Sequence, residues 1–289
     1  MMTAIKNSIK KIIPDKVYLE ILYKRIFGKK LNLKNPQTFN EKLQWLKLYD
    51  RKDIYTTMVD KYEVKKYISN IIGDEYIIPT IGIYNKFDDI DFEQLPNKFV
   101  IKCTHDSGST IICKNKNEFD IEKNKVKINK FLKTNFYYNS REWPYKNVKP
   151  RIIIEKYMED DNVGDIIDYK IYSFNGKCNY VMVCTDRMIG ETKFLFYDKN
   201  WILQKDMTKD GLKYGDSINI DKPQNLDKMF ELASKLSENI PFVRVDFYEV
   251  NSKIYFGELT FFPSAGFDAK RLKKTDDIFS SLINIGDVK

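Results

Sequence analysis

The sequence has one histidine, His105, and four cysteines, none of which form a Cys-x-x-Cys pair. A metal site built from several histidines is therefore excluded, and a Ser-His-Asp catalytic triad has one candidate base. The cysteine spacing also argues against a zinc ribbon and is typical of proteins that stay in a reducing cytoplasm. We therefore interpret His105 and the cysteines as structural residues.

Long apolar runs are missing as well. No stretch approaches the roughly 20 apolar residues that a membrane-spanning helix needs, and residues 1–16 lack the continuous apolar core of a signal peptide. A helix over these residues would place four isoleucines on one face: Ile5, Ile9, Ile12 and Ile13. We expect this helix to dock on the protein, with an anionic membrane surface as the alternative partner. The predicted location is the cytoplasm or the inner face of its membrane.

Arginine is scarce, since seven arginines accompany 42 lysines. The 49 basic residues outnumber the 41 acidic ones, and the net charge is +8. Nucleic-acid recognition usually relies on the planar guanidinium group, so this composition predicts a solvated lysine surface and no nucleic-acid partner. A hydrophobic content of 43% excludes a disordered chain, and the length is sufficient for one large core or two modest ones.

The apolar pattern predicts an α+β fold. Residues 1–75 have helical periodicity, and Thr38-Phe39-Asn40-Glu41 has the spacing of a capping box. Short apolar runs then predict strands at 76–79, 99–101, 110–112, 152–154, 168–174, 180–185, 194–197, 242–250 and 253–259. Helices are expected at 121–132, 226–237 and 276–285. Because strands and helices do not alternate in a regular βαβ repeat, a doubly wound sheet is excluded.

Two segments place polar residues at the end of an apolar strand, where a ligand could bind. Lys102 lies in such a strand and precedes a loop of small polar residues at 104–109. A strand lysine is costly unless it faces a ligand, and free backbone N–H groups suit phosphate. The alternative is an ordinary hairpin with a solvent-facing lysine. The second strand, 152–154, ends at Glu155-Lys156-Tyr157-Met158, where the backbone could meet an adenine edge or simply enter a loop.

A third segment pairs Asp246 and Glu258 on neighbouring apolar strands. Two buried carboxylates would repel each other, and a bound Mg²⁺ would remove the repulsion because it prefers oxygen ligands together with nucleotide phosphates. Arg244 lies two residues from Asp246 and so on the same strand face, where it could stabilise a transferring phosphoryl group. A surface network of ion pairs is the alternative.

These motifs follow one another in the order of an ATP-grasp enzyme. The chain also resembles the TupA-like ATP-grasp family, named for teichuronopeptide synthesis, over nearly its whole length. Six separate strings carry the resemblance: 35–43 (NPQTFNEKL), 59–62 (VDKY), 101–108 (IKCTHDSG), 141–145 (REWPY), 168–170 (DYK) and 256–261 (FGELTF).

The resemblance implies an ATP-grasp fold with a helical region at 1–75, a small nucleotide-covering lobe at 76–155 and a large lobe at 156–289 that carries the metal and substrate site. The implied ATP contacts are Lys61, Lys102, Ser107, Gly108, Ser109, Glu155, Lys156 and Met158. Lys170 and Arg244 would be catalytic, because they neutralise phosphoryl and acyl-phosphate charge. Asp246, Glu258 and Thr260 would hold Mg²⁺. Most ATP-grasp enzymes have asparagine where this chain has Thr260, a weaker ligand, so the number of metal ions is left open.

The same resemblance implies an ATP-dependent carboxylate–amine ligase. A substrate carboxylate would attack the γ-phosphate of ATP, and an amine would then attack the acyl phosphate to leave an amide. The carboxylate would belong to a uronic acid of a bacterial surface polysaccharide, such as a capsule, or to its precursor, and the amine to an amino acid. Arg187 and Trp143 are candidate acceptor contacts, with core packing as the alternative.

Two other functions stay open at this point. The fold could serve a kinase or another transferase that modifies a sugar or polysaccharide. It could also be a noncatalytic protein that binds polyanions or a membrane surface.

Overall fold

The computed structural model describes residues 10–161, 166–185 and 192–286, and its helices and strands form a mixed α+β fold, as predicted. The described helices are α1 Asp15–Phe27, α2 Phe39–Tyr49, α3 Ile54–Val59, α4 Glu63–Ile72, α5 Ile121–Leu132, α6 Tyr137–Ser140, α7 Lys209–Tyr214, α8 Leu226–Leu236 and α9 Lys273–Leu282. The described strands are β1 Thr80–Tyr84, β2 Phe99–Cys103, β3 Ile111–Cys113, β4 Ile152–Lys156, β5 Asp168–Phe174, β6 Lys177–Thr185, β7 Lys193–Asp198, β8 Phe242–Val250 and β9 Lys253–Thr260.

Helix α2 begins at the predicted capping box. Thr38 Oγ1 accepts a hydrogen bond from the N–H of Glu41 (3.2 Å), and the Glu41 carboxylate accepts one from the N–H of Thr38 (3.1 Å). The apolar side of the helix packs on the five-stranded sheet, where the Phe39 ring lies edge-on to Phe242 with 5.0 Å between centroids. Helices α2, α3 and α4 therefore share one hydrophobic core with this sheet, whereas Leu19 and Tyr23 of α1 pack in a smaller cluster.

The four-stranded sheet has the order β1-β4-β2-β3, and its neighbouring strands are antiparallel. In β2, the side chains of Phe99 and Ile101 are buried with Ile128 of helix α5. Because successive side chains of a strand point to opposite faces, Lys102 points away from this core. The alternation thus directs the predicted phosphate lysine toward the open face of the sheet.

The first strand lies later in the chain than predicted. The apolar run at 76–79 contributes no strand residue, and β1 extends over Thr80–Tyr84 instead. Ile77 and Ile78 line the cavity described below, so their apolar side chains serve a pocket wall. Pro79 has no N–H to donate, although its carbonyl accepts a hydrogen bond from Lys156 N at 3.0 Å. Pairing with β4 therefore starts at Thr80, and its register shifts once between Thr80 and Gly82.

The five-stranded sheet has the order β7-β6-β5-β8-β9 and is antiparallel throughout. Its pairing register puts Lys170 opposite Asp246, and Asp246 opposite Glu258. Two residues away along the same strands, Arg244 pairs with Thr260. Directly paired residues present their side chains on the same face of a sheet. The register therefore gathers all five predicted catalytic and metal residues on adjacent strands.

The helices of the described part of the chain include none that is both long and apolar enough to cross a membrane.

Candidate active site

A cavity of about 520 Å³ is lined by residues from both sheets and from helix α4. Eight of the predicted site residues line it: Lys61, Lys102, Glu155, Lys156, Met158, Lys170, Asp246 and Glu258. Apolar side chains such as Ile78, Ile112 and Phe256 form other parts of the wall. The cavity thus combines apolar surface for a flat ring with several charged groups, which is typical of a small-molecule site.

At the small-sheet side, Glu155 is held between two lysines. Its carboxylate lies 2.7 Å from Lys102 Nζ and also forms an ion pair with Lys65. Burial alone would raise the pKa of Glu155, but Lys102 and Lys65 outweigh burial and hold this pKa below its usual value. Lys65 also donates to the carbonyl of Ile78 at 2.6 Å. Sequence reasoning missed Lys65, because nothing separates it from the other lysines except its position one helical turn after Lys61.

Lys61 anchors the polar loop at 104–109. Its backbone N–H donates to the carbonyl of Thr104 (3.1 Å), and its Nζ donates to the carbonyl of Asp106. Burial lowers the pKa of Lys61, and the negative charges of Asp106 and Glu258 oppose that change. The ammonium of this side chain, which is 20% exposed, therefore lies at the base of the loop.

The structure separates the three loop residues predicted to contact ATP. Ser107 and Gly108 are exposed at the tip, and Gly108 has a φ of 111° that favours glycine. Ser109 is buried, donates to Asp106 Oδ1 (2.7 Å) and accepts from the N–H of Cys103 (2.8 Å). Ser109 thus fastens the loop in this conformation, and an ATP contact by any of the three stays a prediction.

His105 has the structural role expected of it. The residue is buried, and its Nε2 lies 3.1 Å from the carbonyl of Phe131 and 3.2 Å from that of Thr134. These carbonyls belong to the end of helix α5 and the residues after it. The histidine therefore ties the base of the 104–109 loop to that helix.

Asp246 is the most heavily paired carboxylate of the cavity. It accepts from Lys170 Nζ at 2.6 Å and from two nitrogens of Arg244, both at 2.6 Å. Burial would raise the pKa of Asp246, yet Arg244 and Lys170 hold it below its usual value. The pKa of Lys170 is raised, because Asp246 and Asp168 outweigh its burial. All three groups are therefore charged near neutral pH.

The other two residues predicted to hold metal, Glu258 and Thr260, lie beside Arg244. Glu258 accepts from Arg244 (3.2 Å) and from the Thr260 hydroxyl (3.1 Å), and its side chain is 48% exposed. In the described part of the chain, no group of three or more His, Cys, Asp or Glu residues forms a metal cage. One or two carboxylates beside a phosphate-binding cavity nevertheless fit Mg²⁺, which usually completes its shell with water and phosphate oxygens.

Neither of the two residues proposed to contact the acceptor, Arg187 and Trp143, is placed in the cavity by the described structure. Arg187 lies outside the described residues, and half-buried Trp143 does not line the cavity. The neighbouring aromatic Tyr145 has the clearer link to the site. Burial raises the pKa of its phenol far above the usual value, and the charges of Glu142 and Glu258 add to the rise. No signal in the sequence distinguishes Tyr145 within its aromatic stretch.

Two antiparallel sheets, with lysines and carboxylates from both around one cavity, define an α+β protein with a charged small-molecule site. The family model for TupA-like ATP-grasp proteins matches residues 41–284. The chain therefore belongs to the TupA-like ATP-grasp family, and its fold is an ATP-grasp fold. Both the predicted family and the predicted fold class are confirmed.

Solved structures of ligases are distant matches. D-alanine–D-alanine ligase from Helicobacter pylori is 13% identical, with 85% of this chain and 69% of that chain covered and a TM-score of 0.43. D-alanine–D-alanine ligase from Bacillus anthracis is 17% identical; the match covers 83% of this chain and 65% of that chain, and the TM-score is 0.44. An L-amino acid ligase from Bacillus licheniformis is 10% identical; the match covers 85% of this chain and 55% of that chain, and the TM-score is 0.46. The chain thus spans between 55% and 69% of the lengths of these ligases. No curated protein matches the chain. The family assignment rests on the family model alone.

Proposed function

We propose that the protein is an ATP-dependent ligase that joins a carboxylate to an amine through an acyl phosphate. The observation that carries this proposal is the cavity itself. Lys102 on one sheet faces the same space as Lys170 and Asp246 on the other, in a chain of the ATP-grasp family. Cations are thereby placed where a triphosphate would need them, beside carboxylates suited to a divalent ion.

The nucleotide would lie between the two sheets. The backbone at Lys156 and Met158, where β4 ends, would hold the adenine, with Glu155 close by. Lys102 and Lys61 would contact the phosphates. The exposed tip of the 104–109 loop would close over them and exclude water.

Asp246 and Glu258 would hold Mg²⁺, with the hydroxyl of Thr260 beside them. The ion would supply neutralisation of the phosphate charge. Arg244 and Lys170 already contact Asp246, so both cations lie where the phosphoryl group would be transferred. We assign these two side chains the stabilisation of the charge that develops there.

The reaction would take place in two steps. An oxygen of the substrate carboxylate attacks the γ-phosphorus, the bond to the bridging oxygen of ADP breaks, and an acyl phosphate forms. The amine nitrogen then attacks the acyl carbon, the phosphate leaves, and the nitrogen loses a proton to give the amide. Neither step requires a histidine, in agreement with the structural role of His105.

For the substrates, we propose a uronic acid of a bacterial surface polysaccharide, or its precursor, and the amine of an amino acid. This part of the proposal rests on the family name. Trp143 and Arg187 stay candidates for acceptor contacts.

The proposed ligase is tested by incubating the protein with MgATP, a uronic acid and amino acids. A ligase yields ADP, free phosphate and an amide that resists phosphatase, whereas a kinase leaves the phosphate on the acceptor. We expect Asp246→Asn and Glu258→Gln to lower turnover at least about 100-fold, because each removes a metal-binding charge. Product analysis by mass spectrometry and phosphate release measure both effects.

The matched control is Glu159→Gln, which removes an exposed carboxylate paired with Lys98 outside the cavity. It should keep wild-type turnover. Thermal melting confirms that each variant is folded. Unimpaired turnover in a folded Asp246→Asn or Glu258→Gln protein would refute the metal assignment.

We also propose that helix α1 rests on an anionic membrane surface. Val17 and Ile21 are four residues apart on its outer side and are 43% and 57% exposed, while Leu19 and Tyr23 bury the opposite side. Exposed basic side chains surround them: Lys11, Lys16, Lys24 and Arg25. Apolar contacts flanked by lysines are typical of helices that bind anionic lipid. Ile5 and Ile9 of the predicted isoleucine face lie outside the described residues.

A further inference from the structure

One face of helix α2 buries polar side chains instead of apolar ones. Asn40, Gln44 and Lys47 are spaced four and three residues apart, so they lie on one side of the helix. Gln44 and Lys47 are each 0% exposed. Burying an amide and an ammonium is costly unless every polar atom has a partner. We call these three residues the polar stripe.

Each residue of the polar stripe has a partner in one short segment, residues 265–268, which follows strand β9. Asn40 Nδ2 donates to the carbonyl of Asp268 (3.1 Å), Gln44 Nε2 to that of Gly266 (2.7 Å), and Lys47 Nζ to that of Ala265 (2.7 Å). Each side chain of the stripe therefore holds a different peptide group of the same segment.

This segment has an unfavourable backbone. Ser264, Ala265 and Gly266 have φ angles of 52°, 53° and 64°, all in the left-handed region. This region is unfavourable for a residue with a β-carbon, so it persists only where the surroundings impose it. A β-carbon at Gly266 would lie 2.5 Å from Gln44 Nε2. The turn is thus shaped to fit against the stripe.

Lys47 also reaches a second segment. Its Nζ donates to the carbonyl of Ser140 (2.8 Å) and to Gln44 Oε1 (3.0 Å), so its three N–H groups have three acceptors. Burial lowers the pKa of Lys47 to about 7, and the charge of Glu142, whose carboxylate accepts from the Ser140 hydroxyl (2.7 Å), opposes this change. Lys47 therefore connects the turn at 264–266 with the segment at 140–145.

Chain connectivity links the turn to the metal end of the cavity, and electrostatics link the segment at 140–145 to it. The turn starts four residues after Thr260, the last residue of β9, and Tyr145 of the second segment is influenced by the charge of Glu258. Lys102 and Glu155, in contrast, belong to the other sheet and have no contact with the stripe. A change at Lys47 should therefore reach one end of the cavity selectively.

We propose that Lys47 is a positioning residue for the metal end of the site. Its ammonium holds the left-handed turn after β9 against residues 140–145, and the turn in its place keeps Glu258 and Thr260 oriented toward the cavity. The proposal rests on the proposed function, because it concerns Mg²⁺-dependent nucleotide binding at that site. It assigns to helix α2 a part in the site that its distance along the chain does not reveal.

The test compares the full-length wild type with Lys47→Met, which keeps the length of the side chain and removes the ammonium. Calorimetry measures the affinity for a non-hydrolysable ATP analogue with Mg²⁺ and with EDTA. We expect Lys47→Met to bind the analogue about tenfold more weakly than the wild type when Mg²⁺ is present, because the metal carboxylate is displaced. In EDTA, its affinity for the analogue should stay within about twofold of the wild-type value. Hydrogen exchange should become about tenfold faster at the amides of 262–268 and stay unchanged in β2 and β4.

Lys52→Met is the matched control, since Lys52 is exposed, lies near α2 and contacts the carbonyl of Asn239, the ring of Tyr55 and, at 3.8 Å, the carboxylate of Asp50. It should behave as wild type. If Lys47→Met does not fold, Gln44→Met removes the hydrogen bond to Gly266 and one of the three acceptors of Lys47, and the same expectations apply.

Three results would overturn the proposal: an unchanged Mg²⁺-dependent affinity, an equal loss of affinity with Mg²⁺ and with EDTA, or unchanged exchange at 262–268. An equal loss would mean that Lys47 only supports the fold. A wild type that binds no nucleotide would instead defeat the proposed function, and the positioning proposal with it, while the exchange measurement would still show whether Lys47 holds the turn.

Discussion

Charged side chains in the cavity neutralise one another. Glu155 lies between Lys65 and Lys102, and Asp246 lies between Lys170 and Arg244. An unpaired buried charge would cost several kcal/mol, so each group depends on its partner. A triphosphate would compete with these carboxylates for the same cations. The pairs therefore keep the cations in the cavity and oriented toward it.

At the residue scale, we expect Lys102→Met to weaken binding of MgATP by about 10- to 100-fold, because a charge-assisted phosphate contact is lost. Calorimetry with a non-hydrolysable analogue measures the change. Lys98→Met is the control, since Lys98 is exposed and pairs with Glu159 outside the cavity. Wild-type affinity in the Lys102 variant would contradict the assignment of a phosphate lysine.

The same substitution should change the response to acid. The pKa of Glu155 is held below its usual value of 4.5, so its ionisation adds stability that is present above that value and is lost as the pH falls. Without Lys102 the pKa of Glu155 rises, and less of this stability is available. Acid unfolding followed by circular dichroism should therefore begin at a higher pH in the variant than in the wild type.

At the scale of elements, strand register and helix caps place the site residues. Pairing of β5, β8 and β9 puts Lys170, Asp246 and Glu258 side by side, although they are far apart in the chain. The hairpin after β8 turns at Asn251 and Ser252, both with positive φ, which matches the right-handed twist of the strands. A slip of one residue would send these side chains to the opposite face.

Helix α2, which carries the polar stripe, depends on its cap. Thr38→Ala removes the hydroxyl that accepts from Glu41 N and should lower the free energy of unfolding by about 1 kcal/mol. Urea denaturation measures this loss. Thr134→Ala deletes an exposed hydroxyl after helix α5 and should change stability by less than about 0.5 kcal/mol. Equal effects of both substitutions would mean that the capping box contributes nothing specific.

At the scale of the whole molecule, the basic side chains that give the chain its net charge of +8 lie in two kinds of place. A few cations line the cavity, among them Lys61, Lys102 and Lys170. Many others are exposed, including those around helix α1. Exposed charges act through a potential that salt screens within about 10 Å, so their contribution to binding depends on ionic strength. The two groups of basic side chains can therefore be distinguished experimentally.

We expect the protein to sediment with phosphatidylcholine vesicles that contain about 30% phosphatidylglycerol, and to be released by salt at roughly 0.5 M. Replacing Val17 and Ile21 by serine should weaken this binding several-fold, because apolar contact with the bilayer is lost. The control replaces Ile202 and Leu212, which are similarly exposed but distant in the chain. Binding that is unchanged in the α1 variant, or absent in the wild type, would contradict a membrane contact at α1.

Local sequence patterns identified much of the candidate site. An apolar strand interrupted by Lys102, and paired strands with Asp246 and Glu258, are short-range signals that survive folding because strand alternation is fixed by backbone geometry. The capping box at Thr38 is equally local, and the structure confirms it. The strand predicted at 76–79 was wrong, because an apolar run cannot show whether it pairs with a strand or lines a cavity.

By itself, the sequence determined the order of the elements, the family resemblance and the types of residue available for chemistry. Only the tertiary structure decided which of the 42 lysines meet a carboxylate in the cavity. Lys65 meets Glu155, and buried Lys47 meets Ala265, across separations of 90 and 218 residues. Such contacts depend on how sheets and helices pack, and packing is set by the whole core rather than by any local pattern.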